Sequence, residues 1–413
     1  MNITGIIAEF NPFHNGHAYL IQKARELTNA DLILIVMSGN FVQRGAPAIL
    51  DKYTRAEMAL HCGADLVVEL PVFCAAASAE YFAEGAVRLL CDLNADSFVF
   101  GCEEQSHTDN FYTLAKLLLD EPAAYRTALK EALSSGLSFP AARKKAAEFV
   151  LPDKTLAFLL DAPNNLLGIE YIKACLKRGL QIKPVAVKRL GSGYHNMNLE
   201  NKFSSASALR LFLQENIKTP KRLSALSEYI PAPAYNILIR EFGRTFPVTE
   251  DDFSTLISCR LLDLTPEELS CYADVGQTLA SRLSLARFSC IQTTDFIRQI
   301  KTKETTYTRL SRALFHIILK ITAKEQELFR SAEHTPYARL LGFTQAARPY
   351  LKLYKNLFVP MIQRPAQAKE LLDGDAFSFF EKDIKTAELY RQVSYARHHI
   401  VSPSEYKRNI LIL

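Results

Sequence analysis

The chain has 413 residues, of which 48% are hydrophobic and 23% charged, and its formal net charge is +5. This length favours two domains, and the composition excludes a disordered, collagen-like or coiled-coil protein. No apolar run reaches the roughly 20 residues of a membrane span, no secretory signal is visible, and the eight cysteines are scattered without a C-x-x-C pair. We therefore expect a globular protein of the reducing cytoplasm, with no membrane partner and no metal site.

Apolar runs and helical patterns alternate through the first half of the chain. Runs that predict buried strands lie at 3–9, 31–38, 65–71, 96–101 and 182–190. Helical spacing predicts helices at 17–27, 54–62, 79–93 and 166–178. This alternation predicts an α/β fold with a Rossmann-like, doubly wound parallel sheet. Such a sheet binds its ligands beyond the carboxyl ends of its strands.

Prolines near residues 216–235 predict a domain boundary. Residues 1–215 hold 21 Lys and Arg against 23 Asp and Glu, whereas residues 216–413 hold 28 against 21. Beyond the boundary the pattern is mainly helical. We expect a catalytic domain at 1–215 and a basic, mainly helical domain at 216–413. The excess positive charge would suit a polyanionic partner, although it is also compatible with an ordinary solvated surface.

The clearest chemical signal is the segment IIAEFNPFHNGH, which ends at His17. Gly16 lets the backbone approach a ligand, and the helix that begins near His17 offers unpaired N–H groups to an anion. His14 and His17 lie three residues apart, and both could donate ring N–H groups to phosphate oxygens. The segment therefore predicts a nucleotide-phosphate site. Metal binding is disfavoured because no further Cys or His with ligand spacing lies nearby.

Other candidate site residues lie at the ends of predicted strands and helices. Arg189 could clamp phosphate oxygens, and Gly101 would let a nucleotide lie against the backbone. Asn165 offers a donor and an acceptor to a ligand, but it could equally be a helix N-cap. The loop after the second strand could contact a substrate or form only a turn, and its candidates are Gly39, Asn40 and Arg44.

A predicted helix at 307–322 carries a basic stripe opposite an apolar one. The stripe comprises Arg309, Arg312, His316 and Lys320. It could follow a phosphate backbone or be a solvated helix face. Further basic residues precede it at Arg282, Arg287, Arg298, Lys301 and Lys303.

Several longer stretches resemble a single family. They are GIIAEFNPFHNGH, SGNFVQRGAPAILDKYTRAEMAL, GADLVVELP, PNNLLGIEYIKA and RLGSGYH followed by FSSASALR. The first is similar to the HIGH motif of a nucleotidyltransferase superfamily, and together they resemble the bacterial tRNA(Met) cytidine acetate ligase family. The resemblance implies a ligase that activates acetate with ATP as acetyl-adenylate. The acetyl group would then pass to the wobble cytidine of elongator tRNA(Met), forming N4-acetylcytidine.

The resemblance also implies the residues that hold ATP, with Mg²⁺ on its phosphates. The implied ATP site consists of Ile7, Ala8, Glu9, Phe10, Asn11, Pro12, Phe13, His14, Asn15, Gly16, His17, Ala18, Tyr19, Leu20, Gly101, Asn164, Asn165, Arg189 and Leu190. Ser204 and Ser205 of FSSASALR would hold phosphate at a helix N-terminus. The candidate catalytic residues are His14, His17 and Arg189. The candidate tRNA contacts are Lys301, Lys303, Arg309, Arg312 and Lys320.

Two other functions fit the motif. One is a small-molecule adenylyltransferase of the coenzyme-precursor type, whose activity should be indifferent to tRNA. The other is a non-catalytic, nucleotide-sensing RNA-binding protein. No obligate protein partner is inferred, and no residue can be named as the general base of acetyl transfer.

Overall fold

The computed structural model describes residues 1–103, 108–190, 205–216, 220–353 and 359–413. In these ranges the chain forms a single eight-stranded sheet with helices on both faces. The strands are β1 (Ile3–Ala8), β2 (Leu32–Ser38), β3 (Leu66–Leu70), β4 (Ser97–Cys102), β5 (Lys183–Lys188), β6 (Ala338–Phe343), β7 (Met361–Ile362) and β8 (Leu411–Ile412). Their order is β5-β4-β1-β2-β3-β6-β7, and β8 pairs with β6.

The five strands of the first half are parallel, as predicted. The chain runs outward from β1 through β2 to β3, and then returns to place β4 on the other side of β1. The strand order therefore reverses between β1 and β4. In doubly wound sheets a ligand crevice opens beyond the carboxyl ends of the strands at this reversal. The segment that follows β1 is the H-x-G-H turn.

Ten α-helices lie between the start of the chain and residue 250 in the described ranges. They are α1 (Asn15–Thr28), α2 (Lys52–His61), α3 (Val72–Ala75), α4 (Ala79–Asp92), α5 (Thr108–Asp120), α6 (Ala123–Ser134), α7 (Phe139–Val150), α8 (Pro163–Arg178), α9 (Ala206–Glu215) and α10 (Ala232–Glu241). None of the described helices has the length and apolar character needed to cross a membrane.

The remaining described chain is mainly helical, as the sequence predicts. Its helices are α11 (Ser254–Asp263), α12 (Pro266–Ser270), α13 (Gln277–Ala286), α14 (Thr293–Ile300), α15 (Tyr307–Leu319), α16 (Ala323–Ser331), α17 (Arg348–Leu353), α18 (Ala368–Leu371) and α19 (Gly374–His398). The strands β6 and β7 have no counterpart in the sequence prediction.

The two faces of the sheet bury separate hydrophobic cores. Along β2, Leu34 and Val36 face one core, whereas Ile33 and Ile35 face the other, because successive strand side chains point to opposite faces. The first core continues from α4 and α8 into α11, α15 and α19. The second is covered by α1, α2, α9 and α10. Since both faces are buried, β2 is continuously apolar.

The second half of the chain is joined to this sheet directly. β6 pairs antiparallel with β3, so residues from both sides of the expected boundary at 215 form one sheet. The rings of Phe253 and Phe315 also pack against Phe41, which belongs to the loop after β2. The division into domains at 1–215 and 216–413 stays a prediction. The sheet nevertheless draws strands from both of these ranges.

Candidate active site

The two histidines lie at the start of α1, where backbone geometry holds both rings. His14 is the N-cap of α1, and its Nδ1 accepts a hydrogen bond from the Gly16 N–H at 3.0 Å. The Nδ1 of His17 accepts one from the His14 N–H at 3.2 Å. The rings stack with their centroids 3.7 Å apart. Because each Nδ1 is an acceptor, a neutral ring carries its proton on Nε2, and both rings can donate from that atom.

Burial keeps the two imidazoles neutral. It lowers the pKa of His14 to about 3, with help from the positive charges of Arg189 and Arg210. Burial and the neighbouring His14 also lower the pKa of His17 well below its usual value. The turn is thus shielded from solvent, has the guanidinium groups of Arg189 and Arg210 nearby, and offers the Nε2 N–H donors of both histidines. That combination favours an anionic ligand.

Two phenylalanine rings and one asparagine amide fix the position of the H-x-G-H turn. The ring of Phe10 packs against His17 with 4.9 Å between centroids, and Phe13 contacts the same imidazole at 5.6 Å. The Oδ1 of Asn11 accepts a hydrogen bond from the Ile49 N–H at 2.8 Å. Of the other residues of the predicted segment, Ile7 and Ala8 end β1, and Glu9 and Pro12 lie between β1 and α1. The rest lie in the first turns of α1: Asn15, Gly16, Ala18, Tyr19 and Leu20.

Arg189 directly follows β5 and lies next to Gly101 of the neighbouring strand β4. The backbone N–H of Arg189 donates to the Cys102 carbonyl at 2.8 Å. A Cβ added to Gly101 would lie 3.1 Å from the Cγ of Arg189, so the glycine lets the arginine chain lie flat against β4. Burial lowers the pKa of the Arg189 guanidinium, and the charge of Glu103 opposes this effect. The predicted Gly101 and Arg189 are therefore neighbours, and Leu190 beside them is half-exposed.

Arg210 is a second arginine whose charge acts on His14, and the sequence analysis missed it. It donates to the Asn11 carbonyl at 2.7 Å and to the Ser207 Oγ at 3.0 Å. Burial lowers the pKa of its guanidinium, and the charge of Glu9 opposes this effect. A sequence signal was present, because Arg210 ends the stretch FSSASALR. Ser205 of that stretch caps α9 by accepting a hydrogen bond from the Ala208 N–H, whereas Ser204 lies outside the described residues.

Asn164 and Asn165 join the start of α8 to the end of β4. The Oδ1 of Asn165 accepts a hydrogen bond from the Glu103 N–H at 2.9 Å, and Asn164 Nδ2 donates to the Glu103 carboxylate. The alternative that Asn165 is a helix N-cap is wrong, since α8 begins at Pro163 and its N-cap is Ala162. Asn165 is almost fully buried. These contacts place both amides beside Glu103, which directly follows β4 at the carboxyl edge of the sheet.

The loop after β2 is held from beneath by Arg55. This fully buried guanidinium donates to the carbonyls of Glu9, Ser38, Gly39 and Leu50. Four carbonyl acceptors take the place of a carboxylate partner. Glu9 follows β1, Ser38 ends β2 and Gly39 follows β2. Arg55 therefore fixes two neighbouring strand ends relative to each other. The sequence analysis did not single out Arg55, although it lies in the stretch SGNFVQRGAPAILDKYTRAEMAL, because a buried arginine in a helix resembles a surface one.

The predicted loop residues have different roles. Asn40 is buried, and its Oδ1 accepts a hydrogen bond from the Lys52 N–H at 2.8 Å, so it forms the turn. Gly39 packs against the Glu69 carboxylate, where a Cβ would collide. Arg44 is half-buried, and the Glu9 carboxylate opposes the lowering of its pKa by burial. Of the three, Arg44 remains a candidate ligand contact near the site.

The four residues of the predicted basic stripe on α15 do not form one solvent-exposed face, so that interpretation is wrong. Arg312 forms an ion pair with Asp274 at 2.8 Å. His316 is fully buried, and its ring nitrogens lie 3.0 and 2.8 Å from the carbonyls of Ala273 and Ala76. Arg312 and His316 pack inward because α15 covers the loop after β2, whereas Arg309 and Lys320 stay exposed. The candidate tRNA contacts that are exposed are Lys301, Lys303, Arg309 and Lys320.

Comparison with known proteins agrees with this geometry. The model of the family described as HIGH Nucleotidyl Transferase matches residues 1–402. A tRNA(Met) cytidine acetate ligase of Acetivibrio thermocellus is 34% identical over 417 residues, covering 100% of both chains. Another from Thermoanaerobacter pseudethanolicus is 39% identical over 393 residues, covering 94% of this chain and 95% of the relative.

Solved structures show the same similarity. The apo crystal structure (form I) of Thermotoga maritima TmcAL is 29% identical, has a TM-score of 0.92, and covers 100% of both chains. A second crystal structure of that protein, bound with alpha-thio ATP, is 30% identical with a TM-score of 0.89 and the same coverage. The chain therefore belongs to the HIGH nucleotidyltransferase family and, within it, to the tRNA(Met) cytidine acetate ligases.

Proposed function

We propose that this chain is an ATP-dependent ligase that acetylates elongator tRNA(Met). It activates acetate as acetyl-adenylate and transfers the acetyl group to the N4 amine of the wobble cytidine, forming N4-acetylcytidine. The observation that carries the proposal is the stacked pair of buried, neutral histidines with two arginines beside them. The names of the relatives and the alpha-thio ATP bound to the similar Thermotoga maritima protein support it.

The nucleotide is proposed to lie across the reversal of the strand order. The first N–H groups of α1 are already hydrogen-bonded within the protein, so the expectation that they stand unpaired is not met. The phosphates would instead contact the Nε2 donors of the two histidines, near the positive end of the α1 dipole. The nucleoside would lie along Gly101, Asn165 and Arg189. Mg²⁺ would accompany the phosphates, since this ion is commonly held by substrate phosphates and water. No group of three or more His, Cys, Asp or Glu among the described residues could hold a metal by itself.

In the first step an acetate oxygen attacks the α-phosphorus, and the bond to the bridging oxygen breaks. The electron pair leaves with diphosphate. Acetate is already ionised at neutral pH, so no side chain has to act as a nucleophile or base. The protein aligns the reactants and stabilises the charge that develops on phosphate oxygens. The Nε2 donors of His14 and His17 and the guanidinium of Arg189 are proposed for this role, and Arg210 is added to them.

In the second step the cytidine amine attacks the acetyl carbonyl, and AMP leaves with the electron pair of the broken anhydride bond. The amine loses one proton. The mixed anhydride is strongly activated, so positioning of the base is the main requirement. The cytidine has to be splayed out of the anticodon loop to reach the pocket.

The eight cysteines are unpaired, which supports the expectation that the enzyme acts in the reducing cytoplasm.

The first experiment measures the product. Purified tRNA is incubated with the enzyme, ATP and isotope-labelled acetate, and its nucleosides are analysed by mass spectrometry. We expect labelled N4-acetylcytidine. Acetate-dependent exchange of diphosphate into ATP without modified RNA would reject the transfer step. Equal turnover with and without tRNA would favour a small-molecule adenylyltransferase.

The second experiment tests the histidines. His17→Asn removes the Nε2 donor, and we expect the acetate-dependent exchange rate to fall by about 10²–10³-fold, the usual effect of losing one donor to a developing oxyanion. His61→Asn is the matched control, because His61 is exposed at the end of α2. A wild-type exchange rate in His17→Asn would remove this histidine from the reaction.

A further inference from the structure

An apolar surface extends from the last turn of α13 into the connection to α14, far along the chain from the candidate active site. Leu285, Phe288 and Ile291 are 83%, 74% and 78% exposed, which places them among the most exposed large apolar side chains of the described residues. We call these three residues the apolar turn. Leu283 and Cys290 beside them are buried and anchor the segment to the core. An apolar cluster that is held open to water in this way marks an interaction site.

The chain segment that carries the apolar turn has an excess of positive charge. Residues 276–303 hold five basic residues and one acidic residue, Asp295. Asp295 is paired with Arg298 at 2.8 Å, so it offers no net negative charge to a partner. The unbalanced positive charge favours a polyanion. It also disfavours contact between two identical copies, which would bring like charges together.

An arginine is stacked on the exposed aromatic ring. The guanidinium carbon of Arg287 lies 4.5 Å from the centroid of the Phe288 ring. Its Nη1 donates to the Ser284 Oγ at 3.0 Å, which holds the guanidinium in place. The Phe288 side chain remains largely open to solvent. An exposed ring with a fixed cation beside it is the chemistry that takes an unpaired nucleobase and the adjoining phosphate.

Hydrogen bonds connect the apolar turn, through residues 250 and 251, to α15, the helix that packs against the loop after β2. The N–H of Thr294, three residues after Ile291, donates to Asp251 Oδ1 at 2.8 Å. The preceding residue in the chain, Glu250, accepts hydrogen bonds from Tyr307 and Ser311 of α15. The same helix packs against the loop after β2. The apolar turn is therefore fixed to the elements that border the catalytic turn.

We propose that the apolar turn docks the RNA substrate by stacking an unpaired base on Phe288. Arg282 and Arg287 contact the phosphates on either side of that base. This inference rests on the proposed function, because it names the surface by which the same enzyme holds its tRNA. Stacking of one base on an aromatic side chain contributes enough affinity to be measured when the ring is removed.

The experiment compares Phe288→Ala with Phe149→Ala in the full chain. Phe149 is 70% exposed on α7 and serves as a matched control outside the apolar turn. The dissociation constant of a fluorescein-labelled elongator tRNA(Met) transcript is measured by anisotropy, and KM for this tRNA by acetylation. We expect both to rise about tenfold in Phe288→Ala, with no change in Phe149→Ala. The acetate-dependent diphosphate exchange without RNA should keep its wild-type rate in both variants.

Two further variants separate stacking from apolar contact. Phe288→Trp should bind tRNA at least as tightly as the wild type, whereas Phe288→Leu should lose about as much affinity as Phe288→Ala. Wild-type affinity in Phe288→Leu or Phe288→Ala would overturn the proposal. So would a wild-type dimer, seen by sedimentation, that Phe288→Ala dissociates without changing tRNA affinity. If the wild type bound tRNA through Phe288 but formed no N4-acetylcytidine, the proposed reaction would fail and the docking surface would stand.

Discussion

In the H-x-G-H turn, backbone hydrogen bonds select the tautomer of the two histidine side chains. Each Nδ1 is occupied by a backbone N–H, so the tautomer of each neutral imidazole is decided by the turn and not by the ligand. Burial and the nearby arginines then keep the protonated form unfavourable. The free enzyme therefore presents two neutral N–H donors throughout the ordinary pH range. This preorganisation costs stability only in acid, where an unfolded histidine would bind a proton.

The pH dependence of stability follows from the depressed pKa of His14. Its pKa is about 3 in the folded protein and about 6.5 in an unfolded chain, so below pH 6.5 the unfolded state binds a proton that the folded state excludes. Stability falls as the pH drops from 6.5 toward 3, and His14 accounts for about 2 kcal/mol of loss between pH 6.5 and 5. His14→Asn keeps an N-cap acceptor but cannot titrate. In urea unfolding at pH 7.5 and 5.0, the variant should lose about 2 kcal/mol less than the wild type, and parallel losses would contradict the assignment.

At the level of elements, the packing of α15 against the loop after β2 joins the second half of the chain to the site. Gly45 adopts a φ of +72°, and a Cβ there would collide with the backbone of Arg312 on α15. The Ser311 Oγ also lies 3.5 Å from the Gly45 carbonyl. The glycine is therefore needed for two reasons, a left-handed backbone and a close helix approach. The loop can keep Arg44 near the site only while α15 is docked.

Two glycine substitutions separate these reasons. Gly136 also has a positive φ, of +86°, but a Cβ there would meet nothing within 4 Å. We expect Gly136→Ala to destabilise the protein by about 1 kcal/mol through backbone strain alone. Gly45→Ala should destabilise it by about 3 kcal/mol or more, because strain and overpacking combine. Urea midpoints measure both variants, and equal losses would show that the close approach of α15 is unimportant.

Across the whole molecule, a buried ion cluster ties the tail of the chain to the sheet. Lys52 of α2 lies 2.7 Å from Glu69 of β3 and 3.2 Å from Glu405 near the C-terminus. Burial opposes the charge of this lysine, but the carboxylates of Glu405 and Glu69 raise the pKa of Lys52 above its usual value. Glu405 also accepts a hydrogen bond from the Tyr53 hydroxyl at 3.0 Å. Three distant segments therefore depend on a single ammonium group.

Removing that ammonium should affect the whole molecule. Lys52→Met removes the ammonium group that forms ion pairs with two buried carboxylates, and we expect a loss of about 3–5 kcal/mol in unfolding free energy. Limited proteolysis should also cut the last residues of the chain faster, since Glu405 loses its partner. Lys23→Met is the control, because Lys23 pairs with Glu26 on the surface and should contribute under about 1 kcal/mol. Similar urea midpoints for the two variants would show that the cluster does not hold the tail.

The sequence by itself determined the parallel sheet, the H-x-G-H turn and the cap of α9, because apolar period, turn residues and capping hydroxyls act within a few positions of the chain. It also contained the stretches that mark the family. Only the tertiary structure decided which distant groups meet. Arg210 reaches Asn11 across 199 positions, β6 pairs with β3, and His316 turns inward instead of facing solvent. These outcomes depend on which surfaces bury each other when the chain closes, and a local pattern of charge or hydrophobicity carries no record of that choice.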